Sequence, residues 1–176
     1  MNLVLIGFMG VGKSCVGKEL ARRLGWTFVD TDSLIERAYS KPVSTIFARY
    51  GEASFRETEK RVVRDVARRR RCVIATGGGV ILDRENIDRL RKQGVLIHLT
   101  LSPETIFNRI GHQKQRPLLE TENPRQTLAH LFRARERLYA MHADVTINRD
   151  GCGVKETVKR ILATVNSNER QTEVMA

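Results

Sequence analysis

Apolar positions along this chain come in short unbroken runs, at Leu3–Ile6, Thr27–Asp30, Cys72–Ala75, Val95–Leu99 and Val145–Ile147. Runs of that kind fit strands buried on both faces. Between them apolar residues recur at helical spacing, which predicts helices at Lys13–Leu24, Ser33–Tyr39, Val43–Tyr50, Ala53–Arg70, Arg84–Lys92, Pro103–Ile110, Arg125–Met141 and Val154–Val165. Gly25 and Gly94 read as helix stops, and Ser102-Pro103 as a cap plus a first helical residue. Regular strand–helix alternation predicts an α/β fold, a parallel sheet wrapped by helices. No internal repeat and no linker interrupts it, so residues 1–165 are expected to form a single domain. The polar tail 166–176 is expected to be disordered.

The first strand–helix junction carries the strongest chemical signal. Gly7-Phe8-Met9-Gly10-Val11-Gly12-Lys13-Ser14 fits G-x-x-x-x-G-K-[ST], between an apolar run and a helical pattern. Glycines let backbone N–H groups curl into a concave cradle for phosphate oxygens, and the helix start adds its positive dipole end. Gly10, Val11, Gly12 and Lys13 would hold the phosphates of a nucleoside triphosphate, and the Ser14 hydroxyl would ligate Mg²⁺. A bare glycine turn would have no use for Lys13 and Ser14 together.

Composition narrows the setting. With 176 residues and 41% hydrophobic content, one compact domain can bury a real core. No apolar stretch approaches the roughly 20 residues of a membrane span. The N-terminal residues enter the first strand at once, and the expectation is a cytoplasmic enzyme. Cys15, Cys72 and Cys152 are too few and scattered for a disulfide framework or a zinc site. Cys15 follows the phosphate loop at a helix start, where a thiol pKa can fall, although a small helix residue there needs no such role. The net charge of +11 raises nucleic acid as a partner. The densest run, Arg68–Arg71, falls at a helix end, where cations complement the dipole, and no aromatics are interleaved with it. Nucleic-acid binding is therefore disfavoured.

Further candidates cluster at strand ends. Asp30-Thr31-Asp32 follows the second strand, where open α/β sheets bind ligands. One carboxylate there can support Mg²⁺ through water and the other can take a hydroxyl proton. Asp32 or Ser33 could also simply cap the next helix. Thr76-Gly77-Gly78-Gly79 follows the third strand, and consecutive glycines suggest backbone approaching a second ligand closely, beyond a mere tight turn. The segment 111–123 is long for a helix–helix connection, and with Arg109 and Arg116 on either side of Gly111 it reads as a lid. Arg56, alone on a helix, carries little information by itself.

The ordered set is more specific than its parts. The phosphate loop, Phe28-Val29-Asp30-Thr31-Asp32, Ile46-Phe47 with Gly51-Glu52, Phe55-Arg56-x-x-Glu59, Thr76–Gly79, Arg116-Pro117-Leu118-Leu119 and Arg135-x-x-Leu138-Tyr139 resemble shikimate kinases from about Asn2 to about Leu162. The resemblance implies a five-stranded parallel sheet in the order 2-3-1-4-5, with substrate-binding helices at about 33–60 and a mobile lid. It implies ATP- and Mg²⁺-dependent phosphorylation of the shikimate 3-hydroxyl, in aromatic amino-acid biosynthesis, by a monomer. Under it Asp32 holds the acceptor hydroxyls and serves as base, while Asp30 supports the metal. Arg56 and Arg135 grip the acceptor carboxylate, and Gly78 and Gly79 offer backbone contacts. Arg116 reaches the transferring phosphate. Cys15 lies along the ATP site, and Arg109 and Arg149 fall near adenine.

Cys15 departs from the family's usual Ser or Thr, and Arg137 from a frequent Pro. No aspartate ends the third strand, which leaves the metal to Ser14 and Asp30. A gluconate-type or nucleotide kinase on the same scaffold, and a P-loop switch or nucleic-acid-binding module, are the alternatives. No N-K-x-D motif supports a GTPase.

Overall fold

A computed structural model describes residues 1–110 and 122–174. The segment 111–121, with Arg116 and most of the expected lid, lies outside the described residues. The strands are β1 (Asn2–Ile6), β2 (Thr27–Asp30), β3 (Cys72–Ala75), β4 (Gly94–Thr100) and β5 (Val145–Asn148). They form one parallel sheet in the order β2-β3-β1-β4-β5, the order that the family resemblance implies. β1 is central and buried along its whole length, pairing Leu3 with Val73 on one side and with Val95 on the other. That double burial is why its sequence is a continuous apolar run rather than an alternating one.

The described helices are α1 (Lys13–Leu24), α2 (Thr31–Tyr39), α3 (Val43–Ala67), α4 (Arg84–Arg91), α5 (Pro103–Ile110), α6 (Pro124–His142) and α7 (Val154–Val174). The main core lies between these helices and the sheet, while Ile35, Ile46 and Phe55 form a small satellite core joining α2 to α3. Because every strand runs the same way, Ile6, Asp30, Ala75, Thr100 and Asn148 end at one edge of the sheet. The loops that leave that edge hold most of the motif residues. Among the described residues no helix is long and apolar enough to cross a membrane.

Boundaries differ from the pattern where local chemistry overrides it. α2 starts at Thr31 because the Asp30 carboxylate accepts from the N–H groups of Asp32 and Ser33. The cap is therefore Asp30, rather than Asp32 or Ser33. The two helices expected at 43–50 and 53–70 are present as the two stretches of α3, which meet in a kink at Gly51, whose φ of 76° does not fit a helix; the second stops earlier than expected, at Ala67. Gly94 is the first residue of β4 and not a helix stop; a β-carbon there would sit 2.9 Å from the Leu90 carbonyl oxygen. Ser102 does cap α5, its hydroxyl oxygen accepting from the Thr105 N–H at 3.3 Å. The backbone of α7 continues past Val165 to Val174.

Helix α1 lies close against the sheet at Gly17. A β-carbon there would come within 2.5 Å of the Phe28 ring and 3.3 Å of Leu5. Gly17→Ala would gain about 1 kcal/mol in helix propensity but overpack the contact at a cost of about 1–3 kcal/mol. The variant should unfold at lower urea concentration than the wild type, which equilibrium denaturation measures. A more stable variant would show that Phe28 yields freely.

Candidate active site

After β1 the chain turns through Gly7, Gly10 and Gly12, with φ values of 142°, 79° and 86°. Gly12 is required twice over, because a β-carbon there would also collide with the Arg149 guanidinium. Lys13 folds back over the loop, its Nζ donating to the carbonyl oxygens of Gly7 at 2.7 Å and Phe8 at 2.9 Å. No side chain caps the start of α1 and no acidic residue occupies its first turn. Those N–H groups and the positive end of the helix dipole are left for an anion.

Asp30 joins two elements. Its Oδ1 caps α2, and its Oδ2 accepts from the Ser14 hydroxyl at 2.6 Å. A hydroxyl and a carboxylate side by side, next to a phosphate cradle, are the hard oxygen donors Mg²⁺ takes when phosphates and water complete its shell. The set therefore fits that ion. A cavity of about 410 Å³ opens in front of the loop, lined by Gly10, Gly12, Lys13, Ser14, Cys15, Asp30 and Arg109 among others. Cys15 is exposed there and its thiol is free, as are those of Cys72 and Cys152. Arg149 does not face this space openly. It is 3% exposed, with Nη1 donating to the Val11 carbonyl oxygen and Nε to the Thr157 hydroxyl at 3.1 Å, so it braces the loop from behind.

A second cavity, of about 100 Å³, shares Met9, Asp32 and Gly78 with the first. One wall is apolar, from Val43, Phe47 and Phe55; the other carries Asp32, Arg56, Glu59 and Arg135. The glycine loop closes it. Thr76 donates its hydroxyl to the Leu5 carbonyl oxygen at 3.1 Å, and the Gly77 N–H donates to the Thr31 hydroxyl at 2.9 Å. None of Gly77, Gly78 and Gly79 has a positive φ; these glycines are needed for space. A β-carbon at Gly77 would sit 2.6 Å from Asp32 Oδ1 and 3.1 Å from Glu59 Oε1, and one at Gly79 would enter the Arg56 guanidinium.

Arg56 is held by its own helix. It donates to Glu59 Oε2 at 2.8 Å and to Glu52 Oε1 at 3.0 Å and 3.2 Å. Glu59 is 1% exposed, and its Oε1 has no hydrogen-bond partner among the described residues. Burial pushes its carboxyl pKa up, against the pull of Arg56. In the sequence Glu59 stands only as part of the Phe55-Arg56-x-x-Glu59 pattern, with no role of its own; its i+3 spacing from Arg56, which places both on one helix face, is the signal for one. Burial likewise lifts the Asp32 carboxyl from 3.8 to about 6; Asp30 adds to the rise and Lys13 opposes it.

The candidates from the phosphate loop, Asp30, Asp32, Arg56, Gly78, Gly79, Arg109 and Arg135 thus converge on two adjoining cavities, while Arg149 sits behind the loop and Arg116 is outside the described residues. Because Asp32 binds protons more tightly folded than unfolded, its ionisation destabilises the fold as pH rises from 3.8 through 6. Asp32→Asn should therefore be more stable than wild type at about pH 8, by on the order of 2–3 kcal/mol. The gap should close toward about pH 4. Urea unfolding at the two pH values tests this, and a gap independent of pH would contradict it.

The shikimate kinase family model matches residues 9–166. A shikimate kinase of Moorella thermoacetica is 50% identical over 150 residues, covering 85% of this chain and 86% of its own. One from Thermodesulfovibrio yellowstonii is 44% identical over 161 residues, with 92% of each covered. Among solved structures, the shikimate kinase from Acinetobacter baumannii in complex with shikimate superposes with a TM-score of 0.91 at 37% identity, covering 95% of this chain and 93% of the other.

Proposed function

The chain belongs to the shikimate kinase family, and we propose that it transfers the γ-phosphoryl group of ATP to the 3-hydroxyl of shikimate. The observation that carries this reading is the pair of adjoining cavities. A phosphate cradle fills one, a carboxylate and two arginines line the other, and Asp32 stands on the wall they share. Phosphoryl transfer depends on in-line positioning and charge neutralisation more than on covalent chemistry.

Arg56 and Arg135 offer two guanidinium groups to an acceptor carboxylate, the charge-assisted contact that selects an acidic ring over a neutral sugar. Gly78 and Gly79 bring backbone against the same acceptor. Asp32 accepts the proton of the reacting hydroxyl at its carboxylate; with a pKa near 6 it is mostly ionised at neutral pH yet basic enough to take that proton. Lys13, held over the loop by Gly7 and Phe8, lies where charge develops on the transferring group. Mg²⁺ carried with the triphosphate would neutralise β- and γ-oxygens, held by Ser14 and Asp30. In this reading Arg116 and the segment 111–123 act as the lid that excludes water, and Arg109 flanks the adenine end. Arg149 contributes to ATP binding through the loop it braces, and Cys15 borders the same pocket. Free thiols suit a reducing cytoplasm.

ADP release measured with ATP and Mg²⁺ should depend on shikimate, and should not appear with gluconate or nucleoside monophosphates. Release without any acceptor would sink the assignment. Asp32→Asn should lose turnover by about 10²–10⁴ with little change in ATP affinity; near wild-type turnover would remove Asp32 from the base role. Arg56→Ala should raise the KM for shikimate by about tenfold or more, and unchanged acceptor saturation would contradict its place in the carboxylate grip.

A further inference from the structure

Tyr139 on α6 is 1% exposed and does not line either cavity. Its hydroxyl donates to the carbonyl oxygen of Gly78. Arg135, one helical turn earlier on the same helix and also buried, lies beside the same hydroxyl, and its charge acts on it. A guanidinium can only donate and a carbonyl can only accept, so with its proton committed to the Gly78 oxygen the Tyr139 hydroxyl turns its lone pairs to the guanidinium side. The ring is fixed as well. It stacks on His98 of β4 with centroids 5.2 Å apart and planes 20° from parallel. His98 is buried, and burial with the nearby Lys13 charge holds its pKa down to about 4, so the platform is an uncharged ring at neutral pH.

Gly78 in turn lies against the phosphate loop. A β-carbon on it would stand 3.4 Å from the Met9 nitrogen and 3.7 Å from the Gly7 carbonyl oxygen. One phenol hydroxyl thus ties the helix that carries Arg135 to the glycine loop beneath the acceptor, and that loop rests on the donor cradle.

We propose that Tyr139 is a positioning residue that sets selectivity for a carboxylate-bearing acceptor, by fixing the Arg135 guanidinium and the Gly78 carbonyl without touching the acceptor itself. This rests on the acceptor reading given above. Removing the hydroxyl leaves the half-buried Gly78 carbonyl with one partner fewer and takes away the oxygen beside Arg135, while the ring still packs on His98. Arg135 is then free to adopt other rotamers, and the grip loosens on charged acceptors in particular.

The test is Tyr139→Phe in the full chain, with steady-state kinetics on shikimate and on its uncharged methyl ester. The KM for shikimate should rise about tenfold, the KM for ATP should stay within about twofold, and the preference for shikimate over the ester should fall by the same factor as the shikimate KM rises. In an Arg135→Ala background Tyr139→Phe should add little, since the two act as one unit. Equal losses on both acceptors, or an unchanged preference in a variant that melts like wild type, would reduce Tyr139 to packing. Wild-type protein that fails to use shikimate would instead sink the acceptor reading. In that event a crystal structure of Tyr139→Phe decides the positioning role alone: a displaced Arg135 guanidinium and Gly78 carbonyl support it, and unmoved ones overturn it.

Discussion

At the carboxyl edge of the sheet, Gly12, Gly77 and Gly79 leave space that charged side chains occupy. Arg149 enters the gap beside Gly12, Asp32 and Glu59 the gap beside Gly77, and Arg56 the gap beside Gly79. The rest of the site depends on this close approach. It lets a guanidinium brace the phosphate loop from behind and lets two carboxylates come up against backbone. It also shapes the cavity that Arg56 and Arg135 line, next to the one in front of the phosphate loop. A single β-carbon at any of these positions would force either the loop or the charged group away.

Charges packed this closely are stable only as a network. Burial raises the carboxyls of Asp32 and Glu59, and Lys13, Arg56 and Arg135 pull them back. Removing one partner from a buried pair leaves its mate uncompensated, which costs more than the pair contributes. The arrangement therefore trades fold stability at neutral pH for a carboxylate near the phosphate loop that is basic enough to accept a proton. Glu59 presents one oxygen to Arg56, and its other oxygen, beside the smaller cavity, has no hydrogen-bond partner among the described residues.

Much of the fold was legible because burial on both faces produces unbroken apolar runs, as in β3, which the structure places at Cys72–Ala75 where its run predicts it; the edge strand β2, with only Val29 buried, also falls at its expected Thr27–Asp30. The phosphate loop was legible for a different reason: its chemistry needs Gly, Lys and Ser at set spacing in a local turn. Gly94 reads as a helix stop until β1, far away in the chain, is laid beside it. The cap of α2 is a local matter: Asp30, Asp32 and Ser33 are all suitable cap residues, and only the backbone shows that the Asp30 carboxylate takes the first N–H groups.

The sequence by itself determined the strand and helix alternation, the phosphate loop and the family pattern, because each is a local or ordered feature that survives in one dimension. Only the tertiary structure decided what Arg149, Glu59 and Tyr139 do. Arg149 and Val11 are 138 residues apart, and Tyr139 and Gly78 are 61 apart. Nothing in the spacing of such residues says whether a guanidinium faces a nucleotide or the back of its loop. Parallel strands bring these segments to one edge, and burial there turns ordinary surface residue types into partners whose hydrogen bonds must be satisfied within the protein.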